Sequence, residues 1–299
     1  MGLHRTAVEA ERAEGVASGD FGRDGVFPPL PHVPPLPPFS LWVDEIPRPG
    51  WANMSVDMAL LDRAEHHGEH WLRLYQWAPH CLSFGRHEPA RTRYDTDRIR
   101  ALGLDTVRRP TGGRAVWHSR ELTYAVASPC DRFGSLRQAY VEIHRLLAHA
   151  LATLGARVSL APRARITPLN AGACFTQPVG GEVLVNGRKV IGSAQLRRGS
   201  ALLQHGSILL HDTQHFLTGL MQGSAQPTSP DLTRVRDEVS LADHLGRPLL
   251  AREVADAVAR AATRCWMTRW ESVVDAVHII HAADHHAPRF RSSTWTWAR

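Results

Sequence analysis

The sequence predicts an α+β fold, with a mixed, largely antiparallel β-sheet packed with helices. Two kinds of pattern alternate along the chain: short stretches with a period of two, such as residues 71–77, and longer stretches with a helical period, such as residues 136–154. Their order is irregular and does not repeat the strand–helix–strand unit of parallel α/β folds. The chain has 299 residues, of which 43% are hydrophobic, enough for a core of this kind.

Strands are predicted where apolar and polar residues alternate between turn signals. WLRLYQW at 71–77 alternates throughout and CLSFG at 81–85 follows it closely, so we expect these two strands to pair antiparallel. Asn186-Gly187 is the strongest hairpin signal, because both central positions of a two-residue turn need a positive φ. Other strands are predicted at residues 41–46, 104–109, 115–118, 121–127 and 157–160, and on both sides of the Asn186-Gly187 turn.

The clearest amphipathic helix is predicted at residues 136–154, and Gly155 suits the position just beyond its end. Asp95 or Thr96 can cap a short helix that runs to Leu102, and Ser240 can cap another. Further helices are predicted at residues 51–67, 211–221 and 250–266.

We expect one folded domain at residues 40–267 between two terminal segments. Residues 1–39 end in VFPPLPHVPPLPPF, where proline is too dense for a helix or a central strand, which predicts a disordered leader. Residues 268–299 are less regular, and we expect a loose C-terminal tail there. No run of 18 apolar residues predicts a transmembrane helix, and the acidic N-terminus lacks the apolar region of a secretory signal.

Charge and cysteine usage narrow the class of protein. The formal net charge of +6 and the isoelectric point near 9.7 favour acidic partners. The arginines are scattered and no nucleic-acid-binding motif is present, so we do not expect nucleic-acid binding. The four cysteines form no CxxC pair, which argues against disulfides and structural zinc and suits a reducing cytoplasm. The histidine pairs at 66–67 and 285–286 lack a third ligand, so no metal is expected.

The basic residues are divided very unevenly between arginine and lysine. Among the 35 Lys and Arg residues, the only lysine is Lys189. Arginine stays charged and binds two acceptors at once, whereas lysine is a compact donor whose pKa can move. A site that needs a point charge or a titratable amine would resist replacement by arginine, so Lys189 is a candidate catalytic residue. The alternative is chance survival of a surface lysine.

A glycine-containing loop is predicted within residues 108–118. Pro110 and the Gly112-Gly113 pair force a tight, exposed backbone, and adjacent glycines let a ligand approach backbone N–H groups closely. A ligand-binding loop and an ordinary glycine turn are both compatible with this pattern.

Two segments resemble the signature segments of the lipoate/biotin protein ligase superfamily: RRPTGGRAVWHSRELTYAV at 108–126 and GRKVIGSAQLRRGSALLQHGSILL at 187–210. The second places Lys189 at the invariant lysine of that family. Residues 52–61 are similar to the family's first helix, and residues 240–247 to part of its accessory C-terminal region. The resemblance covers about residues 40–267, and the GRGRxGRxW loop of biotin ligases is absent.

Within this superfamily the chain is most similar to the octanoyltransferases that use a cysteine. ACF at 173–175, GRKVIGSAQ at 187–195 and LQHGSIL at 203–209 match that branch. Arg114 stands where the ATP-using ligases usually have a third glycine. TQPVGG at 176–181 departs from the branch, in which an acidic residue and aromatics are common.

The resemblance implies an acyltransferase of lipoate biosynthesis. It would move an octanoyl group from octanoyl-acyl carrier protein to a lysine of a lipoyl domain or glycine cleavage H protein. The group would pass through a thioester on Cys174, with Lys189 as its charge partner and with no cofactor. The resemblance also implies substrate contacts at Arg109, Gly112, Gly113, Arg114, Ala115, Val116, His118, Gly192, Ser193, Ala194, His205 and Gly206.

Two further expectations concern the surroundings of this site. Val116 and Ile191 are expected to line a tunnel for an eight-carbon chain. Four arginines are candidates for steering the acidic carrier and acceptor, although solvated surface arginines explain them equally well: Arg163, Arg165, Arg197 and Arg198.

Other functions remain open at this point. An ATP-dependent lipoate ligase would use the same lysine to contact lipoyl-adenylate and would form no covalent enzyme. An amidotransferase would move lipoyl or octanoyl groups between two proteins, and a non-catalytic paralogue would only bind acylated domains. His118 and His205 are explained as well by a structural role as by a catalytic one.

Overall fold

The computed structural model describes residues 38–162, 181–211, 213–224 and 240–299. Most of the expected leader, Cys174 with its loop, Arg163 and Arg165 lie outside these residues. The strands are β1 (Phe39–Arg48), β2 (His70–Trp77), β3 (Cys81–Phe84), β4 (Asp105–Arg108), β5 (Val116–His118), β6 (Glu121–Pro129), β7 (Val158–Leu160), β8 (Val183–Val185), β9 (Arg188–Lys189), β10 (Ile191–Arg198), β11 (Ala201–Leu209) and β12 (Trp270–Ser272).

The helices are α1 (Gly50–His67), α2 (Ala90–Arg93), α3 (Thr96–Ala101), α4 (Leu136–Thr153), α5 (Leu241–Leu245), α6 (Ala251–Cys265), α7 (Val277–Ala283), α8 (Ala287–Arg291) and α9 (Ser293–Thr296). The helix predicted at 211–221 is a 3₁₀-helix over Gln214–Leu220. The predicted caps at Asp95 and Ser240 are present, since their side chains accept N–H donors from the first turns of α3 and α5, and Ser135 caps α4 in the same way.

The described residues form one six-stranded sheet and two three-stranded sheets. The large sheet has the strand order β10-β11-β6-β2-β1-β12 and is mixed, because β1 runs parallel to β2 and β12 while the other neighbours are antiparallel. The small sheets have the orders β4-β3-β5 and β7-β8-β9. The predicted α+β class with a mixed, largely antiparallel sheet is confirmed.

The alternation within β2 explains how helices cover both faces of the large sheet. Leu72 and Leu74 join the core that includes α4 and α6. Trp71, Tyr75 and Trp77 point the other way, into a core that includes α1, α7 and α8. Because successive strand residues face opposite sides, one eight-residue strand contributes to two apolar layers.

The expected pairing of residues 71–77 with 81–85 is wrong. Strand β2 pairs with β1 and β6 in the large sheet, whereas β3 pairs with β4 and β5 in a small one. The three residues between β2 and β3, Ala78 to His80, therefore carry the chain from one sheet to the next instead of closing a hairpin.

The expected loose tail is also wrong for the described C-terminal residues. Strand β12 extends the large sheet, and Phe290 is 1% exposed. Arg108 donates through Nε to the carbonyls of Trp295 and Thr296, at 3.1 and 3.0 Å, and the ring of Trp297 lies 5.1 Å from that of Phe84. These contacts are long-range, so local pattern does not reveal them. The domain boundaries at 40 and 267 stay a prediction.

Candidate active site

A cleft with about 400 Å³ of empty space opens beside the junction of β5, β10 and β11. Its walls combine apolar side chains with a few hydroxyls and imidazoles. The lining residues are Met54, Tyr75, Trp77, Arg109, Gly113, Val116, His118, Thr123, Gly192, Ser193, Ala194, His205, Gly206 and Ser207.

The glycine loop borders this cleft, and Arg109 holds its shape from inside. The guanidinium donates to the carbonyls of Gly112 at 3.2 Å and Arg114 at 2.7 Å, and to the carbonyl of Ser83 at 3.0 Å. Arg109 is 5% exposed, so its five donors are directed mainly at protein acceptors. Arg109, which was predicted to contact substrate, therefore also holds the backbone of the glycine loop in position.

Close packing of backbone against backbone explains one glycine that flanks this loop. A Cβ at Gly85 would lie 1.8 Å from the carbonyl oxygen of Gly113, far below any van der Waals contact. Gly113 itself has a φ of +91°, a region that residues with a side chain rarely adopt. The loop therefore depends on glycine at both positions.

His205 ties the glycine loop to helix α1. Its Nδ1–H donates to Asp57 Oδ2 at 2.8 Å, and Thr111 Oγ1 lies 2.7 Å from its Nε2. Asp57 in turn accepts from Arg73 at 3.0 Å and from the hydroxyl of Tyr75 at 2.9 Å. Both ring nitrogens of His205 have protein partners, so the geometry favours the structural interpretation of this histidine.

His118 is held just as firmly. Its Nδ1 lies 2.6 Å from Glu121 Oε1, its Nε2 lies 2.6 Å from Ser83 Oγ, and its ring stacks on Trp77 at a centroid distance of 3.9 Å. Burial lowers the pKa of His118, so the neutral ring is the stable form at pH 7. The structural interpretation again fits these contacts better than proton transfer does.

Ser193 has a different environment, because it lines the cleft and contacts a histidine behind it. His144 Nε2 lies 2.8 Å from Ser193 Oγ, and the hydroxyl of Tyr124 lies 2.6 Å from the same oxygen. The Nδ1–H of His144 donates to the carbonyl of Gly181 at 2.7 Å. Burial, with a smaller contribution from the charge of Lys189, lowers the pKa of His144 to about 4.

Lys189 is buried beside the cleft rather than in its lining. It follows the predicted hairpin turn, in which Asn186 and Gly187 have φ values of +49° and +76°, and it pairs in register with Leu184. Its Nζ lies 2.6 Å from Glu182 Oε1, and both side chains are less than 5% exposed. Burial of the ammonium is thus compensated by a buried carboxylate. The alternative of a surface lysine is wrong.

The predicted site residues fall into three groups. Arg109, Gly113, Val116, His118, Gly192, Ser193, Ala194, His205 and Gly206 line one cleft. Four others, Lys189, Gly112, Arg114 and Ala115, lie outside its lining. Cys174 lies outside the described residues, so its contact with Lys189 stays a prediction. Ile191, which was expected to line the acyl tunnel, packs in the core beneath α4 instead.

Sequence reasoning missed several cleft residues, and His144 behind it. Tyr75 and Trp77 alternate along β2 in a way that predicts one shared face, but nothing local places that face at the glycine loop. His144 carries a usable signal, because it sits among Ile143, Leu147 and Leu151 on the buried face of an amphipathic helix. A polar residue at such a position needs a buried partner.

The surface arginines are not equally available to partners. Arg198 forms ion pairs with Asp62 at 2.5 Å and Glu65 at 2.6 Å, whereas Arg197 is exposed. Steering by Arg198 is therefore weakened by its own neighbours.

Within the described ranges, no group of three or more His, Cys, Asp or Glu side chains could hold a metal ion. None of the helices described combines the length and apolar composition needed to cross a bilayer.

A mixed sheet between two helical layers, with a cleft that a glycine loop borders, is an arrangement that can bind a small molecule. The model of the lipoyl protein ligase A/B catalytic domain matches residues 49–263, and the chain belongs to this family. The expected superfamily is confirmed.

Relatives named as octanoyltransferases are similar to this chain within the family. The chain is 35% identical over 259 residues to a protein named octanoyltransferase LipM from Kyrpidia tusciae, covering 83% of this chain and 94% of the relative. It is 39% identical over 227 residues to the protein of the same name from Symbiobacterium thermophilum, covering 73% and 82%. A third, from Carboxydothermus hydrogenoformans, is 40% identical over 162 residues, covering 53% of this chain and 60% of the relative.

Solved structures share the fold. A lipoate-protein ligase A bound with ATP superposes with a TM-score of 0.68 at 18% identity, covering 87% of this chain and 98% of that one. A bipartite lipoate protein ligase from Thermoplasma acidophilum gives a TM-score of 0.63 at 19% identity, covering 88% and 97%. At these identities the likeness concerns the fold alone.

Proposed function

We propose that this protein is an octanoyltransferase of lipoate biosynthesis, which transfers an octanoyl group from octanoyl-acyl carrier protein to a lysine of a lipoyl domain or glycine cleavage H protein. The observation that carries the proposal is the 35% identity to a named octanoyltransferase across 94% of that relative's length. The apolar cleft with Val116 and Met54 in its lining supports it, because an acyl chain needs such walls.

In the first step we assign the nucleophile to Cys174. Its thiolate attacks the carbonyl carbon of the carrier thioester, a new C–S bond forms, and the carrier sulfur leaves and takes up a proton. Exchange of one thioester for another is close to isoenergetic, so no ATP is required. An ammonium near a thiol favours the thiolate, and this is the contribution that we assign to Lys189, with Glu182 holding the amine in place at 2.6 Å.

In the second step the amine of the acceptor lysine attacks the acyl-cysteine. The new C–N bond forms, the C–S bond breaks, and the nitrogen loses a proton as the amide appears. Conversion of a thioester to an amide runs downhill, so the overall transfer is driven without a cofactor. The family resemblance implies that both protein substrates are acidic, and the net charge of +6 on this protein would attract them. We place the reaction in the cytoplasm.

The covalent intermediate gives the sharpest test. The protein is incubated with octanoyl carrier protein in the absence of ATP and its intact mass is measured. We expect a single octanoyl adduct that hydroxylamine removes and that is absent from Cys174→Ser. Cys265→Ser is the matched control and should keep the adduct, because Cys265 lies at the end of α6 and is not part of the cleft lining.

The same assay separates the transferase from the ATP-dependent ligase, whose fold it shares. Purified lipoyl domain is added with and without ATP and free octanoate. Modification that requires ATP, together with no adduct from the carrier, would overturn the transferase in favour of the ligase.

A further inference from the structure

A hydrogen-bonded chain with a fixed direction runs from β10 to helix α4 through the wall of the cleft. Gln195 Nε2 lies 2.8 Å from the carbonyl of Leu136 and 2.8 Å from Gln204 Oε1. A carbonyl can only accept, so the amide of Gln195 must donate to both. Gln204 therefore presents its oxygen to Gln195 and its NH₂ group to the hydroxyl of Tyr124, at 2.9 Å.

The other end of the chain is fixed in the same way. The carbonyl of Gly181 accepts from His144 Nδ1, so the neutral ring carries its hydrogen there and Nε2 is an acceptor. Ser193 Oγ, at 2.8 Å, must then donate to Nε2. The phenol hydrogen of Tyr124 is directed at Ser193 Oγ, at 2.6 Å. From Gln195 through Gln204, Tyr124, Ser193 and His144, each group thus donates to the next in the direction of Gly181.

This direction decides what Ser193 offers to the cleft. A serine hydroxyl has one hydrogen and two lone pairs. The hydrogen goes to His144 and one lone pair receives Tyr124, which leaves one acceptor position on an oxygen that lines the cleft. A molecule bound there meets an acceptor backed by a neutral imidazole, an arrangement suited to taking up a proton.

We propose that Ser193 and His144 form a proton relay for the second half-reaction, in which Ser193 accepts a proton from the attacking amine of the acceptor lysine. This inference rests on the proposed octanoyltransferase function. Ser193 touches the substrate and is the catalytic residue of the pair, whereas His144 is a positioning residue that acts through Ser193.

The relay keeps protons in balance. As the C–N bond forms, the nitrogen of the attacking amine becomes positively charged and gives a proton to Ser193 Oγ. The hydroxyl hydrogen of Ser193 moves to His144 Nε2 at the same time. The resulting imidazolium keeps its Nδ1–H bond to the carbonyl of Gly181, whose negative end faces the new charge. The proton then returns through Ser193 to the sulfur that leaves as the C–S bond breaks.

The surroundings of His144 suit brief rather than lasting protonation. Burial holds its pKa near 4, and the ammonium of Lys189 acts in the same direction. The centroid of the Tyr140 ring lies 4.1 Å from the centroid of the His144 ring. Glu182, the residue after Gly181, directs its carboxylate at the ammonium of Lys189. The imidazole is therefore neutral before each turnover and returns the proton readily afterwards.

The test separates the two half-reactions in single turnover. His144→Gln places an amide oxygen where Nε2 accepts from Ser193, and it cannot take up a proton. Transfer of octanoyl from carrier protein to enzyme should stay within about twofold of wild type. Transfer from the acyl-enzyme to a lipoyl domain should slow by about 10²-fold, the lower end of the range for general acid–base catalysis. Ser193→Ala should have the same effect, and the double variant should be no slower than either.

Two controls keep a structural role distinguishable. His149→Gln changes a histidine on the same helix that is outside the cleft lining, and it should leave both half-reactions unchanged. Hydroxylamine, whose adduct loses its proton to water, should remove the octanoyl group from wild type and His144→Gln at equal rates.

The outcomes identify which proposal fails. Equal rates of transfer to the lipoyl domain in wild type and His144→Gln would overturn the relay and leave the transferase intact. Equal slowing of both half-reactions would assign His144 to the fold alone and would also overturn the relay. An absence of any wild-type octanoyl adduct would overturn the proposed function itself.

Discussion

The pair formed by Lys189 and Glu182 is the residue-scale feature on which the proposed chemistry depends. Both side chains are buried on the hairpin, and a distance of 2.6 Å joins the ammonium to the carboxylate. A buried ion pair is costly to break, because removal of one partner leaves an uncompensated charge. Lysine also fits where arginine does not, since the guanidinium is planar and larger than the ammonium. The pair is therefore our reason for expecting that this position requires lysine.

We expect Lys189→Arg to lower the rate of octanoyl transfer by about 10²-fold or more, because the guanidinium cannot occupy the place of the ammonium against Glu182. The reciprocal change on the same strand, Arg188→Lys, is the matched control, since Arg188 is exposed. It should keep near-normal activity. Steady-state kinetics with carrier and lipoyl domain measure both. A near-normal rate for Lys189→Arg would show that the single lysine is an accident of composition.

At the scale of elements, the cleft depends on backbones that approach more closely than side chains permit. The carbonyl of Gly113 occupies the space that a Cβ at Gly85 would need. On the opposite wall, a Cβ at Gly206 would lie 2.4 Å from the carbonyl of Gly192 and 2.6 Å from Ser193 Oγ. Both the glycine loop and the β10–β11 pair therefore keep their backbone positions only with glycine at these sites, so these glycines help to shape the cleft.

We expect Gly85→Ala to destabilise the protein by about 1–3 kcal/mol, because an extra methyl group here forces the backbone of the loop to move. Gly112→Ala is the matched control in the same loop, since its added Cβ would meet nothing within 4 Å. Its free energy of unfolding should change by no more than about 0.5 kcal/mol. Urea unfolding at pH 7.5 measures both variants. Similar midpoints for the two would contradict the steric argument.

Local signals made some elements predictable and left others out of reach. The turn at Asn186-Gly187 and the caps at Asp95 and Ser240 follow from chemistry within a few residues, and the structure has all of them. The placement of β3 in a separate sheet depends on partners far along the chain. Contact of Arg108 with Trp295, 187 residues away, is similarly invisible to local pattern.

The same distinction applies to the site. The two signature segments predicted most of the cleft lining, because the family resemblance carries long-range information that single residues do not. His144 belongs to neither segment, and its partners Ser193 and Gly181 lie more than 35 residues away. Only its position on the apolar face of α4 marked it, and that mark alone does not name a partner.

At the scale of the whole molecule, the buried histidines couple stability to pH in one direction. Burial is the main cause that lowers the pKa of His70, His118, His144, His149 and His211. Each therefore binds protons less readily in the folded protein than in the unfolded chain. The unfolded state therefore binds more protons than the folded state between the two pKa values, so the free energy of unfolding rises with pH in that interval.

His144 gives this coupling a defined window. Its pKa is about 4 in the folded protein against 6.5 for an ordinary histidine. The stabilisation of the neutral ring is fully present above pH 6.5 and is lost as the pH falls towards 4. A pKa difference of one corresponds to about 1.36 kcal/mol. The free energy of unfolding should therefore fall by about 3 kcal/mol over this interval because of this fully buried group.

We therefore expect wild-type protein to lose stability steeply between pH 6.5 and 4, and His144→Gln to lose about 3 kcal/mol less over the same interval, because glutamine does not titrate. Urea unfolding at half-unit pH steps measures the free energy of unfolding of the two proteins. Both keep Lys189 and Glu182, so the comparison isolates the titration of His144. His149→Gln serves as the control and should leave the slope closer to that of wild type, since His149 is only partly buried. Parallel pH profiles for wild type and His144→Gln would show that His144 is protonated in the folded protein at pH 5. In that case its Nε2 could not accept from Ser193, and the hydrogen bond between Ser193 and His144 would have to run from the imidazole to the hydroxyl.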